Sequence, residues 1–263
     1  MNEFDQLRQD LVDEQDSLDA IVAPLGDVEW ASRTPSPGWT VTDQVGHLRY
    51  FDGTAALAVS DPEAFQASLT DLFSAAVSPG IDEFTLADFR SASPSERVAF
   101  WRENRARLAV AAGSLTEDAR IPWYGPSMGA KSFITARLME AWAHGQDIAD
   151  ALGIEREPTD RLRHIAQLGF ITRSWSYKVR GEEMPPDDVR VELTGPSGDT
   201  WRWGTLDADD VVTGPALDFC LVVTQRRHVD DTTLHTGPIG RHWLLRAQAF
   251  AGGPTTGPAP RTT

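Results

Sequence analysis

Leu7, Leu11, Leu18, Ile21, Val22 and Leu25 recur at helical spacing against an acidic face, and Pro24 with Gly26 marks a stop, so the chain opens with one long amphipathic helix from Phe4 to Leu25. Turn-forming residues fill Ser32 to Trp39. Thr40, with Asp43 three residues on, then starts a second helix whose stripe runs past Phe51, Ala55 and Ala58. From Asp61 to Ser91 the pattern is mixed: Pro62 to Val77 admits a short helix, Ser78-Pro79-Gly80 breaks it, and a surface excursion is expected. Ser93-Pro94-Ser95-Glu96 opens a third long helix carrying Val98, Trp101, Arg105, Leu108 and Ala112 and ending at Gly113. Ile121 to Gly129 holds too much Pro and Gly for a helix or a central strand. Its Trp123, Tyr124 and Met128 suit either a pocket mouth or packing against the bundle end. A fourth helix from about Ser132 to Leu152, closed by Gly153, aligns Ile134, Leu138, Ala141, Ile148 and Leu152 at about 100° per residue.

A fifth helical pattern from Asp160 to Tyr177 leads into Gly181-Glu182-Glu183-Met184-Pro185-Pro186, a boundary signal. Beyond it the period changes. Val189 to Leu193 alternates as a half-buried strand, Gly195-Pro196-Ser197-Gly198 turns it into Thr200 to Trp203, and Asp210 to Thr213 is a third strand, all expected to pair antiparallel. Pro215 to Gln225 reads as a buried helix and Ile239 to Phe250 as a last amphipathic one, before a Gly, Pro and Thr tail expected to be disordered. The fold class is therefore α+β, mainly α. The expected organisation is a helical bundle over 1–180, a small α+β domain over 181–252 and a tail over 253–263.

Composition changes this picture little. The 263 residues, 41% hydrophobic and 24% charged, are those of a chain able to bury a core. Twenty-four basic against 39 acidic residues leave a net charge of −15, which disfavours nucleic acid and anionic membrane as partners. No apolar run approaches a bilayer span, and Met1-Asn2-Glu3-Phe4-Asp5 lacks the grammar of a signal peptide, so a cytoplasmic location is expected. The single cysteine, Cys220, sits in an apolar run and reads as a buried, inert thiol.

Candidate chemistry centres on Glu140 and His144, which stand one helical turn apart on the shoulder of the fourth helix's apolar stripe. A carboxylate and an imidazole so placed can hold two corners of a divalent-metal site if a distant helix brings a third donor, and His47 on the second helix is the candidate. The same pair also suits an ordinary helix-surface contact. Asp43 lies one turn before His47 and can orient its ring or serve as a capping-box acid. Asp147, one turn past His144, reads as a fourth ligand, an acid behind the ligands, or a solvated helix acid. Arg137, one turn before Glu140, faces inward, either to clamp a substrate carboxylate or to pair with Glu140 or another bundle acid. His228, His235 and His242 lack mutual ligand spacing and read as surface or structural histidines.

Gly38-Trp39-Thr40-Val41-Thr42-Asp43-Gln44-Val45-Gly46-His47-Leu48, taken with Arg137 to Asp147, resembles the mycothiol-dependent maleylpyruvate isomerase N-terminal family of the DinB-like superfamily of metal-binding four-helix bundles, most closely an uncharacterised metal-binding branch. The resemblance implies a divalent metal, typically zinc, held by His47, Glu140 and His144, and mycothiol or another low-molecular-weight thiol as cofactor. It covers about Phe4 to Leu152. Val189 to Gly252 is similar to the companion domain of that branch and to a segment of wyosine-base-forming proteins. Arg226 and Arg227 fall near a functional arginine of the isomerase family, which implies a cofactor-binding role for one of them.

Three functions are then open. The first is a metal-dependent, thiol-using isomerase or transferase acting on a small electrophilic or carboxylated molecule, between bundle and C-terminal unit, with Arg137 and Asp147 as its catalytic candidates. The second is a metal-binding module without catalysis, and the third a metal-dependent hydrolase with Asp147 as base behind a metal-held water.

Overall fold

The computed structural model describes residues 2–75, 78 and 80–261. By its contacts the chain divides into two units, Met1–Arg156 and Glu157–Thr263.

In the first unit, α1 (Glu3–Val22) starts where the Asn2 side chain accepts from Asp5 N at 2.7 Å, and it buries Leu7, Leu11, Leu18 and Val22. The short α2 (Asp27–Trp30) sets Trp30 into the core. The capping box expected at Thr40 and Asp43 opens α3 (Val41–Ser60). Two helices follow, α4 (Pro62–Ala75) and α5 (Ile81–Ser91), both packed on α3. The excursion expected here is thus mostly helical in its described part: α5 escapes the periodicity because Ile81 and Phe84 are exposed while Thr85, Leu86 and Phe89 are buried. Val77 and Pro79, at the predicted end of the short helix and in its break, lie outside the described residues. Ser93, Pro94 and Glu96 cap α6 (Pro94–Gly113) as the motif demands. A two-residue ladder, β1 (Arg120–Ile121) against β2 (Met128–Gly129), frames the Pro- and Gly-rich loop and leads into α7 (Ala130–Leu152), which ends at Gly153 in the left-handed region.

Helices α1, α3, α6 and α7 form a four-helix bundle in which α3 packs on α6 and α7, and α1 on α6 and α7. Its core gathers Leu18, Trp30, Val45, Leu48, Trp101 and Ile148. Arg156 closes the unit, pairing with the buried Glu14 at 2.5 Å and donating to Trp142 O at 3.0 Å.

The second unit begins before the Gly- and Pro-rich break. Its first helix, α8 (Leu162–Ile171), lays Gly169 against Val223 and Phe219, so closely that a Cβ there would stand 2.7 Å from the Val223 side chain. The fifth helical pattern is split at Thr172, after which α9 (Arg173–Lys178) follows, and Arg173 donates to Asp187 O at 2.8 Å across the break. Residues 181–186 are therefore a loop inside this unit, and the unit boundary falls at 156–157 rather than at the 180 that the break predicts. A four-stranded sheet of order β4-β3-β5-β6 comes next, made of β3 (Val189–Thr194), β4 (Thr200–Trp203), β5 (Asp210–Pro215) and β6 (His235–Thr236).

The hairpin β3–β4 is antiparallel as expected, but β5 pairs parallel to β3, which corrects the all-antiparallel reading. The turn after β4 carries the chain past the start of β3. Gly204, at φ 92°, passes so close that a Cβ would stand 3.0 Å from Val189 O, and Asp210 N bonds Asp188 O at 3.2 Å. After β5 comes α10 (Ala216–Val223), which buries Cys220, and after β6 comes α11 (Pro238–Leu244), which is shorter than expected. The tail expected to be disordered is fastened: Thr255 N bonds Gln248 Oε1 at 3.2 Å and Arg261 N bonds Asp231 Oδ1 at 3.0 Å. Thr262 and Thr263 lie outside the described residues. Among the described residues no helix is long and apolar enough to cross a membrane.

Candidate metal centre

Periodicity on two helices brings the key side chains together. His47 lies in the second turn of α3, and the i, i+4 pair Glu140 and His144 lies midway along α7, with α3 and α7 in contact. Among the described residues, His47, Glu140 and His144 form a group whose ligand atoms all lie within 4.8 Å of one another. Glu140 Oε2 is 3.0 Å from His144 Nε2 and 3.5 Å from His47 Nε2. Ligands about 2.1 Å from a tetrahedral ion stand about 3.4 Å apart, so these separations fit one zinc-sized cation. Two imidazoles and one carboxylate are also a donor set that such an ion takes. The side chains of His47, Glu140 and His144 keep 23, 18 and 11% of their surface exposed, so the cluster is partly open.

Charge in the cluster is set by packing. Burial would raise the Glu140 carboxyl, but hydrogen bonds from His144 and His47 and the charge of Arg137 hold it well below the usual carboxylate range. Burial, with His144 beside it, pulls His47 down to about 4 against the opposing influence of Glu140, which favours the neutral imidazole that a metal requires. Rings wall the cluster. Trp39 lies 5.3 Å from the His47 ring and 5.9 Å from that of His144, with its indole N–H held by Asp82 of α5 at 2.9 Å. Phe51 lies 4.5 Å from the His47 ring.

The remaining predicted residues take distinct places. Arg137 is 6% exposed in its side chain, with Nη2 3.9 Å from Glu140 Oε1 and its guanidinium 5.2 Å from the Trp123 ring centre. Its Nη1 is buried and makes no hydrogen bond among the described residues. Asp147 does not join the three convergent ligand atoms. Its Oδ2 accepts from Ser36 Oγ at 3.1 Å and from Gln44 Nε2 at 3.3 Å. Asp43 is the capping acid, paired with Arg90 at 2.7 Å. Trp123 stacks on Phe65 at 5.7 Å while Tyr124 meets Phe51 at 5.5 Å, so the loop both packs the bundle end and reaches the ring beside His47.

Arg226 and Arg227 belong to the second unit, where each donates to a nearby carbonyl, Thr224 O at 2.6 Å and Arg226 O at 2.7 Å. His228 Nδ1 caps a short turn at Asp230 N, and His242 Nδ1 meets Tyr177 Oη at 2.9 Å.

Two polar residues escape the sequence reading, Gln44 and Asp52. Gln44 is fully buried and faces His144 Nδ1 through Oε1. Asp52 is 2% exposed and accepts from Gln15 Nε2 at 3.0 Å and Trp101 Nε1 at 3.1 Å. Both interrupt the inner stripe of α3, Val41-Val45-Leu48-Ala55, and that interruption is the signal that could have found them.

Comparison with known proteins places this geometry. Two crystal structures share the fold, one titled as the mycothiol-dependent maleylpyruvate isomerase and one as its histidine-to-alanine mutant. They have TM-scores of 0.56 and 0.59 at 17 and 16% identity, each alignment covering 90% of this chain and 93% of the other. Two uncharacterized proteins of Mycobacterium tuberculosis, from strains CDC 1551 and H37Rv, are each 46% identical over 252 residues, 94% of this chain and 96% of theirs. Residues 185–236 match the model described as wyosine base formation. Residues 11–149, more than half of the chain and inclusive of His47, Glu140 and His144, match the model of the mycothiol maleylpyruvate isomerase N-terminal domain, and the protein belongs to that family.

Proposed function

We propose that the protein binds one divalent transition metal, zinc by its donor set, through His47, Glu140 and His144, and is a thiol-using isomerase or transferase for a small electrophilic or carboxylated molecule, with mycothiol or a similar thiol as co-substrate. The observation that carries this reading is the convergence of two imidazole nitrogens and a carboxylate oxygen in a partly open cluster. Family membership and the names of the structural neighbours support the thiol and the isomerisation. When bound, such an ion supplies a Lewis acid that lowers the pKa of a thiol at an open position.

The chain's own groups account for the rest. Glu140 brings negative charge to the donor set and keeps a held thiolate nucleophilic. Arg137, buried beside Glu140 with Nη1 making no hydrogen bond among the described residues, supplies a guanidinium for a substrate carboxylate. Trp39 and Phe51 shield the two imidazoles from bulk water. Arg226 and Arg227 enter the proposal as candidates for holding the thiol cofactor, on resemblance to the isomerase family alone.

A second reading, a metal-binding module without catalysis, is favoured by the Trp39 ring standing beside both imidazoles, stacked on that of His144 and tilted against that of His47. Metal analysis with a thiol-dependent assay separates the two. The purified protein is expected to carry about one metal per chain, lost in His47→Ala and in His144→Ala. It is also expected to isomerise maleylpyruvate, or a related unsaturated keto acid, only with mycothiol present. Undiminished metal in both variants overturns the site; full metal with no thiol-dependent turnover favours the module.

A further inference from the structure

A primary amide has a donor end and an acceptor end, and the surroundings of Gln44 leave one orientation. Its Nε2 stands 3.3 Å from Asp147 Oδ2 and 2.9 Å from Thr34 Oγ1, and Ser36 Oγ donates to the same carboxylate oxygen at 3.1 Å. A carboxylate accepts only, so Gln44 turns its N–H groups to Asp147. Its carbonyl Oε1 therefore faces His144 Nδ1. A carbonyl also accepts only, so Nδ1 carries hydrogen and Nε2 is the nitrogen turned to Glu140 Oε2, 3.0 Å away. At that distance Nε2 holds either a proton shared with the carboxylate or, when a metal is bound, the ion.

We propose that Asp147 and Gln44 are positioning residues that select the Nδ1–H tautomer of His144, so that Nε2 is presented as a metal donor. Asp147 acts here through Gln44 and not as a ligand. Thr34, whose hydroxyl gives its hydrogen to Trp39 O at 3.1 Å, and Ser36 can each donate or accept by turning that hydroxyl, so neither by itself sets the direction of the chain; Asp147, which cannot donate, does. This inference rests on the metal reading for its purpose, whereas the tautomer it names exists with or without the ion.

Asp147→Asn is the decisive change, because the asparagine amide can donate to Gln44 Oε1. Gln44 is then free to turn over, give N–H to His144 Nδ1, and drive the ring hydrogen onto Nε2. Two readouts follow: zinc affinity by competition with a chromophoric chelator, and the protonated nitrogen of His144 from long-range proton–nitrogen NMR spectra of metal-free protein. In the parent, His144 carries hydrogen on Nδ1. In Asp147→Asn an Nε2–H form appears and zinc affinity falls about 10- to 100-fold, the usual loss when a group behind a ligand is removed. Gln44→Leu, which removes the amide altogether, is expected to weaken zinc similarly and serves if Asp147→Asn does not fold.

A neutral Nε2–H tautomer in the parent overturns the proposal, as does unchanged zinc affinity in the folded variants. A parent with Nδ1–H that binds no metal instead sinks the metal reading and leaves the tautomer selection standing.

Discussion

Three acids along α3 and α7 carry the same formal charge and do different work because their neighbours differ. Asp43 accepts from Thr40 and Arg90, and although its partial burial opposes them these contacts hold its pKa below the ordinary value. Asp147 is bonded to Ser36 and Gln44. Asp52 is buried among Gln15 and Trp101, and burial raises its pKa from 3.8 to about 6 despite the charge of Arg137. The folded state therefore keeps a proton on Asp52 that the unfolded chain releases first. Below about pH 4 both states are protonated and nothing is lost; as pH rises through 6 the folded state must come to hold a buried anion, and stability falls across that window. A rise from 3.8 to about 6 corresponds to a loss of about 3 kcal/mol at most. Denaturant titrations of Asp52→Asn and the parent at about pH 4 and pH 8 should show the variant gaining on the parent as pH rises; a difference independent of pH would refute the assignment.

At the scale of elements, α3 carries both a structural and a chemical load, and its first turn separates them. The capping box and the Arg90 pair belong to the helix start, while Gln44 and His47 face α7 and the bundle interior. Asp43→Ala is expected to cost about 1–2 kcal/mol through the lost cap, read as a lower melting temperature, and to leave metal content unchanged. Because the Asp43 pKa is depressed in the folded state, the parent's advantage over this variant should shrink as pH falls below about 4. Loss of metal in a folded Asp43→Ala protein would instead assign Asp43 to orienting His47. In the second unit, the parallel pairing of β3 and β5 depends on a close backbone passage at Gly204, a position that strand alternation alone does not reveal.

For the whole molecule, the three proposed ligands, Gln44 and Asp147 all belong to Met1–Arg156, and Arg226 and Arg227 to Glu157–Thr263. A fragment of residues 1–156 is expected to keep zinc affinity within about threefold of the full chain while losing thiol-dependent turnover; if the fragment is folded and binds no zinc, the second unit is needed to complete the site. The helices of the bundle, their caps and the Glu140–His144 pair are written in local sequence, since a 3.6-residue period and an N-cap side chain act within one or two turns. So is the change of period at β3. Whether β5 lies beside β3 or β4, where one unit ends, and which acid lies against Gln44 were decided only by packing. These depend on residues far apart in the chain that local periodicity does not pair: Gly169 against Val223, Gly204 beneath Val189, and Asp147 against Gln44. The polar stripe positions Gln44 and Asp52 show why. A sequence can mark a residue as buried and polar, but only the fold supplies the partner that sets it against a histidine ring or leaves it a buried acid.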